Sequence, residues 1–409
     1  MLSLLSRREI WQEFLEYKLA GGHLNREDQR ALSEFIERQS YLPAVEKMLR
    51  GEGFAPPKKT AISKMSSGKK RIVYTYAEDE NWVLKLLTYL LQRKYDYLFA
   101  GNLYSFRPRK GVRDAVKTLT RRRDIRNLWS YKVDISNYFN SVPVERMLLL
   151  LRHALADEPD ACRFLESLLT NPLVNDRGRF IPEEKGIMAG TPVSTFLANL
   201  YLAQMDHYFA GAGVCYARYS DDIILFDTTE QALEKDVAIL HTFLSDAGLT
   251  INPAKEARTA PGEMWTFLGI CYRDGIIDVA PVSVEKLKAK MRRKSRALVR
   301  WRARKGATGV DAAKAFIRVF NKKLFENPLE HELTWVKWYF PLINTAASLK
   351  IIDAYTQSCI RYLATGKHTK VAYNFRYEQM KELGYISLVN RYYKNDTEGE
   401  NGSDGSKDC

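Results

Sequence analysis

Cysteine and histidine are scarce in this chain of 409 residues, which has five cysteines and six histidines. The cysteines are far apart and include no Cys-x-x-Cys pair: Cys162, Cys215, Cys271, Cys359 and Cys409. A disulfide framework and a zinc site are therefore not expected, because both need paired or closely spaced ligands. The dispersed histidines are expected to be packing or surface residues. Cysteine usage of this kind suits a reducing cytosol, so we expect a cytoplasmic protein.

Long apolar runs are also missing, and no segment approaches the roughly 20 residues that a membrane-spanning helix needs. Residues 1–19 have charged side chains among their apolar positions, which predicts an amphipathic helix and not a signal peptide. We therefore expect a soluble, intracellular protein with no membrane partner. The last segment, 395–409, is rich in Gly, Ser, Asp and Glu and is predicted to be disordered.

Acidic residues are outnumbered, since 63 Lys and Arg face 49 Asp and Glu and leave a net charge of +14. This balance suits a polyanionic partner such as nucleic acid, although general solubility is a simpler explanation. A hydrophobic content of 45% over this length is enough for a large core divided into two or three domains.

The positive charge is concentrated in residues 286–305, which contain eleven Lys or Arg and no acidic residue. Apolar residues recur among the charges, so the segment is predicted to form a basic amphipathic helix. We predict that this helix lies along a phosphate backbone and contacts it through Arg292, Arg293 and Arg296. A basic helix on a membrane surface is the alternative, which no other feature of the sequence favours.

Carboxylates occur in apolar surroundings at two distant places. Asp221 and Asp222 lie between the apolar runs 214–217 and 223–226, and Asp134 lies in a third apolar segment. Buried neighbouring carboxylates repel one another and lose hydration, and a divalent metal is the usual compensation. Two metals about 3.5–4 Å apart on carboxylates are the machinery of phosphoryl transfer in polymerases. The alternative for a bare Asp-Asp pair is an exposed turn.

Strands and helices alternate over the first two thirds of the chain, and helices dominate after about residue 283. The predicted strands are 131–135, 214–219 and 222–227, and the predicted helices include 80–95, 112–128, 143–170 and 231–247. This order predicts an α+β core followed by a helical bundle, to which the basic helix belongs.

Five segments in a fixed order resemble the motifs of the reverse transcriptases. They are 134–139, 185–202, 219–222 (the Tyr-x-Asp-Asp box), 248–255 and 267–270. The resemblance implies an α+β right-hand polymerase fold with fingers, a palm with an antiparallel sheet, and a helical thumb. The implied domains are an N-terminal helical extension (1–60), fingers (61–130), palm (131–270, with part of the fingers inserted at about 143–184), helical thumb and C-terminal region (271–394), and a disordered tail (395–409).

The resemblance also implies an RNA-directed DNA polymerase, a nucleotidyltransferase that uses two Mg²⁺ ions. Asp134 and Asp221 would bind both ions, with the Ile135 carbonyl as a further ligand and Asp222 in support. Lys255 matches the lysine that is proposed to protonate the leaving pyrophosphate as a general acid. A plain surface lysine is the alternative for Lys255.

Other residues match positions that the family uses to bind the incoming nucleotide. Lys69, Lys70 and Arg71 lie where the family grips the β- and γ-phosphates, and the alternative is that they are ordinary turn charges. Backbone N–H groups near Asn137 and Tyr138 are further candidates for phosphate binding.

Phe139 lies where the family places a steric gate against the ribose 2′-hydroxyl, which favours deoxynucleotides. The alternative is a core phenylalanine. One departure from the family pattern is Ala189, where many reverse transcriptases have a glutamine that contacts the nucleotide. Gly190 is retained, and we expect it to permit a close backbone approach.

Within the family, the chain resembles the stand-alone bacterial defence-associated reverse transcriptases of the "unknown group" lineage, and among these the class 2 members that pair with a non-coding RNA. The last 140 or so residues show neither the zinc ligands of an intron-type endonuclease nor a convincing RNase H carboxylate set. The resemblance implies a non-coding RNA template, a cDNA product duplex, dNTP substrates and a role in antiphage defence.

Three alternatives stay open. One is a retron or group II intron-type reverse transcriptase, which gene neighbourhood would reveal. Another is a template-independent, protein-primed DNA polymerase, which a product attached to tyrosine would identify. The third is a polymerase-like scaffold that binds RNA without catalysis, which the three aspartates disfavour.

Overall fold

The computed structural model describes residues 1–21, 24–63, 70–325 and 334–400. The chain forms two compact units, Met1–Glu263 and Met264–Cys409, called unit 1 and unit 2 below. All cysteines in the described part of the chain are free, as their spacing predicts.

Unit 1 begins with three helices, as predicted for the N-terminal extension. They are α1 (Arg8–Ala20), α2 (Arg26–Glu37) and α3 (Leu42–Leu49). Trp11 is fully buried and stacks on Tyr41 with ring centroids 4.8 Å apart. Phe14 contacts the edge of Tyr89, at 5.3 Å, in the next helix of the unit. These helices are therefore part of the hydrophobic core of unit 1.

A four-stranded sheet follows in the predicted fingers. Its strands are β1 (Lys58–Ser63), β2 (Lys70–Thr75), β4 (Leu173–Asp176) and β5 (Arg179–Pro182), in the order β2-β1-β4-β5. β1 and β2 form an antiparallel hairpin, whose connecting residues 64–69 lie outside the described part. β4 pairs with β1, so the inserted segment 143–184 shares the sheet of the hairpin.

Eight further helices lie in the described part of unit 1. They are α4 (Glu78–Lys94), α5 (Val112–Thr120), α6 (Tyr138–Ser141), α7 (Val144–Ala154), α8 (Pro159–Thr170), α9 (Ser194–Tyr201), α10 (Ala203–Gly211) and α11 (Glu230–Asp246). Short 3₁₀ turns lie at Leu2–Ser6, Asp96–Leu98, Ile125–Asn127 and Pro253–Lys255. The predictions for 80–95 and 231–247 are confirmed as α4 and α11.

Two predicted helices differ in the structure, one because it ends earlier and the other because it is divided. The helix predicted at 112–128 ends at Thr120, and the chain then passes through a 3₁₀ turn before the next strand. The helix predicted at 143–170 is divided into α7 and α8. Pro159 explains the division, because a proline disfavours helical backbone in the preceding residue, and Glu158 has φ −133° and ψ 62°.

The predicted palm contains a four-stranded antiparallel sheet. Its strands are β3 (Trp129–Asp134), β6 (Cys215–Tyr219), β7 (Asp222–Asp227) and β8 (Ala257–Thr259), in the order β6-β7-β3-β8. The central strands β3 and β7 pair over their whole length, and most of their residues are buried. α11 packs against these two strands. The three strands predicted from the sequence are therefore confirmed.

The described part of unit 2 contains a small sheet and six helices. The antiparallel strands are β9 (Trp265–Phe267), β10 (Ile270–Arg273) and β11 (Ile276–Val279). The helices are α12 (Pro281–Lys305), α13 (Gly309–Leu324), α14 (Trp335–Tyr339), α15 (Ala347–Thr365), α16 (Tyr377–Glu382) and α17 (Leu388–Glu400), with a 3₁₀ turn at Lys370–Asn374. Because β9 pairs with β10, the division between the units falls a few residues before the predicted end of the palm at residue 270.

Helix α17 extends into the segment that was predicted to be disordered. The buried carboxylate of Asp353 accepts hydrogen bonds from the backbone N–H groups of Leu388 and Val389, at 3.0 and 3.1 Å, and so fixes the first turn. The helix is described as far as Glu400, and the disorder of 395–409 stays a prediction. Residues 401–409 lie outside the described part. None of the described helices is both long and apolar enough to cross a bilayer.

Candidate active site

The palm sheet brings the three predicted aspartates together. Asp134 is the last residue of β3 and pairs directly with Asp222, the first residue of β7. Asp221 lies in the turn between β6 and β7. The three side chains each offer a carboxylate oxygen, and these oxygens all lie within 4.8 Å of one another. Asp134 is only 4% exposed, and the other two are half-buried.

Backbone hydrogen bonds hold the turn that carries Asp221. Ser220 has a positive φ of 60°, and its N–H donates to Ser105 Oγ at 2.9 Å. On the other side, the Ile135 N–H donates to the Asp221 carbonyl at 3.0 Å. The turn is therefore fixed from two directions, and the Asp221 carboxylate stays beside Asp134. This geometry excludes the simple exposed turn as an explanation of the Asp-Asp pair.

The electrostatics of the three aspartates call for a cation. Burial and the neighbouring Asp134 raise the pKa of Asp221, while Lys255 and Arg71 oppose this rise. Burial, followed by repulsion from Asp221, raises the pKa of Asp222 to about 6. Three close carboxylates are a suitable donor set for a hard divalent cation, which prefers oxygen ligands. Ile135 directly follows Asp134 in the sequence, and a ligand role for its carbonyl stays a prediction.

Lys255 is at the site and is not simply a surface lysine. Its Nζ donates to Asp134 Oδ2 at 2.5 Å, although 52% of its side chain is exposed. Burial disfavours the ammonium charge, but the hydrogen bond and attraction from Asp134, together with Asp222 and Asp221, outweigh it and raise the Lys255 pKa. The Lys255 ammonium therefore partly neutralises the negative charge of the three aspartates.

The segment after Asp134 connects three predicted motifs. Asn137 has a positive φ of 48° and precedes α6, in which Tyr138 donates through its hydroxyl to the Ala198 carbonyl at 2.6 Å. Phe139 is 8% exposed and contacts the Phe106 ring edge-to-face, at 6.4 Å between centroids. Phe106 in turn lies 6.2 Å from the Tyr219 ring.

The second motif docks on the fingers hairpin through its backbone. The Tyr74 N–H donates to the Ala189 carbonyl at 2.8 Å, and the Ala189 N–H donates to Asn140 Oδ1 at 2.8 Å. Gly190 has φ 102°, and a Cβ there would lie 3.0 Å from the Tyr74 carbonyl oxygen. The expected close backbone approach at Gly190 is therefore present. The Ala189 side chain is buried, so this departure from the family pattern adds a methyl group to the core.

The predicted phosphate-binding side chains lie on β2. Lys70 and Arg71 are exposed, and Arg71 is near enough to Asp221 to act on its pKa. Lys69 lies outside the described residues. Their role in nucleotide binding stays a prediction.

The predicted basic helix is present as α12 in unit 2. It buries an apolar face that includes Leu287 and Leu298, and it exposes Arg292, Arg293 and Arg296. Arg292 Nε donates to the Tyr355 hydroxyl at 3.3 Å. The amphipathic helix is therefore confirmed, and its contact with nucleic acid stays a prediction.

Sequence reasoning missed a buried ion pair directly behind the Asp221 turn. Arg218 and Asp206 both have side chains with 0% exposure, with Nε–Oδ1 and Nη2–Oδ2 distances of 2.8 and 2.5 Å. Arg218 Nη1 also donates to the Ser220 carbonyl at 3.2 Å, and Nη2 donates to the Asn199 carbonyl at 3.3 Å. The available sequence signal was an arginine inside an apolar strand, which indicates a buried charge that needs a partner but does not identify Asp206.

Three carboxylates clustered at the ends of the paired strands β3 and β7 and in the β6–β7 turn are the kind of donor set that nucleotidyl-transferring polymerases use to hold two metal ions. Residues 57–272, just over half of the chain, match the family "Reverse transcriptase (RNA-dependent DNA polymerase)". The chain belongs to the reverse transcriptase family, and its fold is the α+β right-hand polymerase fold that the sequence predicts.

Two curated proteins are similar to part of this chain. The "uncharacterized 91 kDa protein in cob intron" of Schizosaccharomyces pombe is 27% identical over 159 residues, which are 38% of this chain and 19% of the relative. Protein YkfC of Escherichia coli is 26% identical over 159 residues, 37% of this chain and 40% of the relative. The chain thus spans about a fifth and two fifths of the length of these relatives.

Solved structures of telomerases are also similar to this chain. Apo telomerase from Candida tropicalis has a TM-score of 0.49 at 11% identity, covering 81% of this chain and 59% of that one. Telomerase from Candida albicans in complex with a fragment of telomeric RNA has a TM-score of 0.44 at 11% identity, covering 88% and 68%.

Proposed function

We propose that this protein is an RNA-directed DNA polymerase that copies a dedicated non-coding RNA into cDNA. The observation that carries the proposal is the cluster of Asp134, Asp221 and Asp222, whose carboxylate oxygens lie within 4.8 Å of one another in a chain of the reverse transcriptase family. Such a cluster is costly in a folded protein without a cation and is suited to phosphoryl transfer with one.

The bound cations in this proposal are two Mg²⁺ ions. Asp134 and Asp221 hold both, Asp222 supports them, and the Ile135 carbonyl is a further ligand. When bound, the ions activate the primer 3′-hydroxyl and neutralise the triphosphate and the leaving pyrophosphate. In this proposal Lys255 gives a proton to the leaving group, and its hydrogen bond to Asp134 supports that role.

The remaining site residues orient the dNTP. Lys69, Lys70 and Arg71 bind the β- and γ-phosphates, with the Asn137 and Tyr138 N–H groups as further donors. Phe139 blocks the ribose 2′-hydroxyl, and Gly190 keeps the second motif against β2. The burial of Phe139 and its contact with Phe106 support a gate held in one position, because a ring packed on one side cannot swing away from a sugar.

The partners in this proposal are the non-coding RNA and the cDNA duplex formed on it. The exposed arginines of α12, namely Arg292, Arg293 and Arg296, contact the duplex through its phosphates. The setting is the cytoplasm of a bacterium, in defence against phage, as the resemblance to the class 2 "unknown group" members implies. An intron-type reverse transcriptase is the second candidate, which the similarity to a protein encoded in a cob intron favours.

The test is DNA synthesis by the purified protein on an RNA template, together with sequencing of the RNA and DNA that co-purify with it. We expect Mg²⁺-dependent incorporation of dNTPs, abolished in an Asp221→Asn, Asp222→Asn variant that still binds nucleic acid. The matched control is Asp160→Asn, which removes an exposed carboxylate from α8. Activity in the double variant would refute the site. Recovery of intron RNA in place of a short non-coding RNA would favour the second candidate.

A further inference from the structure

Unit 1 contains a strongly basic segment outside the carboxylate site. Residues 107–126 contain nine Lys or Arg and two acidic residues, a net charge of +7 and so half of the +14 of the whole chain. Two of the nine, Arg107 and Lys110, are only partly exposed. Arg107 binds Asp96, with an Nε–Oδ1 distance of 2.7 Å, and Lys110 donates to the Gly101 carbonyl at 2.6 Å. The other seven are exposed.

Helix α5 arranges part of this charge on one face. Its apolar residues are all buried and follow a helical spacing: Val112, Ala115, Val116 and Leu119. Arg113, Lys117 and Arg121 are exposed and follow one another every four residues, so they rise in steps of about 6 Å. Arg109, just before the helix, is exposed as well. These four residues are called the basic face below.

The acidic residues of the segment do not pair with Arg109, Lys117 or Arg121. Asp114 accepts from the Gly111 N–H at 2.8 Å and so caps α5, and Asp124 pairs with Arg122 at 2.8 Å. Within the described residues, Arg109, Lys117 and Arg121 form no ion pair. Like charges four residues apart on a helix are destabilising, so the face is costly to the free protein. A polyanion removes this cost when it binds.

We propose that the basic face binds the phosphodiester backbone of a nucleic acid strand outside the catalytic site. The proposal rests on the proposed function for the presence of such a strand. Helix α5 packs on β6, the strand that leads into the Asp221 turn, and Ser105, just before the segment, accepts the Ser220 N–H at 2.9 Å. A nucleic acid strand bound to the basic face is therefore held by the same part of unit 1 that fixes the Asp221 turn.

A membrane surface is a weaker fit to the basic face. Interfacial helices insert an apolar face among the lipids, and the apolar face of α5 is buried in the protein. Arginine and lysine at regular steps suit contacts with successive phosphates, which carry no base sequence information. The face is thus expected to bind RNA and DNA of any sequence, and the two are compared directly in the test.

The test is fluorescence anisotropy with single-stranded RNA and DNA oligonucleotides of mixed sequence, at several salt concentrations. The variant Arg109→Gln, Lys117→Gln, Arg121→Gln removes three charges without changing the buried side of α5. We expect Kd to rise about tenfold or more at moderate salt, and the salt slope to fall by about 0.7 for each phosphate of a single strand that the variant no longer binds. A larger loss of affinity for RNA than for DNA would identify RNA as the strand bound there.

The matched control is Arg8→Gln, Arg26→Gln, Arg30→Gln, which removes three exposed charges from α1 and α2, where acidic residues are interspersed. Circular dichroism and Tm verify that both variants fold. Equal Kd and salt slope in the two variants would overturn the proposal. It would also be overturned if Arg109→Gln, Lys117→Gln, Arg121→Gln lost binding to anionic vesicles and kept binding to oligonucleotides. Binding needs no dNTP, so the result is independent of polymerase activity, and Asp221→Asn, Asp222→Asn leaves the basic face intact.

Discussion

The Lys255 ammonium lies 2.5 Å from Asp134 Oδ2, although the two residues are 121 positions apart in the chain. Asp134 is nearly buried and Lys255 is half exposed, so a solvent-accessible cation neutralises a carboxylate that solvent hardly reaches. A divalent ion bound by the aspartates would compensate the same carboxylate. Lys255 and the ion are therefore expected to act on the stability of the site in the same way.

The first prediction follows from this shared role. Lys255→Met should lower the Tm measured without divalent ions by about 2–4 °C, as expected for roughly 1 kcal/mol at a partly exposed pair. The rise in Tm on adding Mg²⁺ should be larger than in the wild type, because the ion then replaces a missing charge. Lys235→Met, an exposed lysine on α11, is the control. The same Mg²⁺-dependent rise in all three proteins would contradict the prediction.

The second prediction concerns the choice of sugar at Phe139. Phe139→Val should raise the ratio of kcat/KM for rNTP to that for dNTP by about 10- to 100-fold, because a smaller side chain leaves room for the 2′-hydroxyl. Tyr138→Phe is the control, since it alters the neighbouring buried residue and leaves the ring at 139 in place. If the ratio does not change in Phe139→Val, the gate is another residue.

The third prediction concerns the exposed arginines of α12. Replacing Arg292, Arg293 and Arg296 by Glu should raise Kd for a template–product duplex and flatten its salt dependence by about 0.9 for each phosphate that the helix no longer binds. Processivity in primer extension should fall. The control Lys314→Glu, Arg318→Glu, Lys323→Glu makes the same charge change on exposed positions of α13. Equal effects in the two variants would mean that α12 has only a solvated charged face.

The sequence was sufficient to predict the parts of the site that depend on a local pattern of residues. Asp134, Asp221 and Asp222 stand at the ends of apolar strands, and antiparallel pairing of such strands brings their ends together. The Arg218–Asp206 pair was not predicted, because it depends on how α10 packs behind β6 and no local spacing specifies that contact. The start of α17 likewise depends on a distant residue, since Asp353, which accepts the Leu388 N–H, is 35 positions before it.

The fourth prediction concerns pH and a second pair of carboxylates in unit 1. Burial, followed by repulsion from Asp227, raises the pKa of Asp236 to about 6, against about 3.9 in an unfolded chain. Folding therefore favours the protonated form, and the pair lowers stability progressively as the pH rises from about 4 to 6. Asp236→Asn should be more stable than the wild type at pH 7, by on the order of 1 kcal/mol for a partly exposed group.

The measurement for Asp236 is Tm as a function of pH. The advantage of Asp236→Asn should be absent near pH 4, grow up to about pH 6 and then stay constant. Asp246→Asn, exposed on the same helix, is the control and should show no such increase. A constant difference between Asp236→Asn and the wild type at every pH would show that repulsion between the carboxylates is not the cause.

The fifth prediction separates the stability of the Arg218–Asp206 pair from its effect on the Asp221 turn. Arg218→Met leaves the Asp206 carboxylate buried without its partner, which typically costs about 3–5 kcal/mol. The double variant Arg218→Met, Asp206→Leu removes both charges and should recover most of the Tm. It should not recover DNA synthesis, because the hydrogen bond from Arg218 to the Ser220 carbonyl is still missing.

We therefore expect a stable double variant with a kcat well below that of the wild type and a smaller change in KM for dNTP. A double variant as active as the wild type would show that the ion pair only stabilises the fold, and that Ser105 and Ile135 are sufficient to hold the turn.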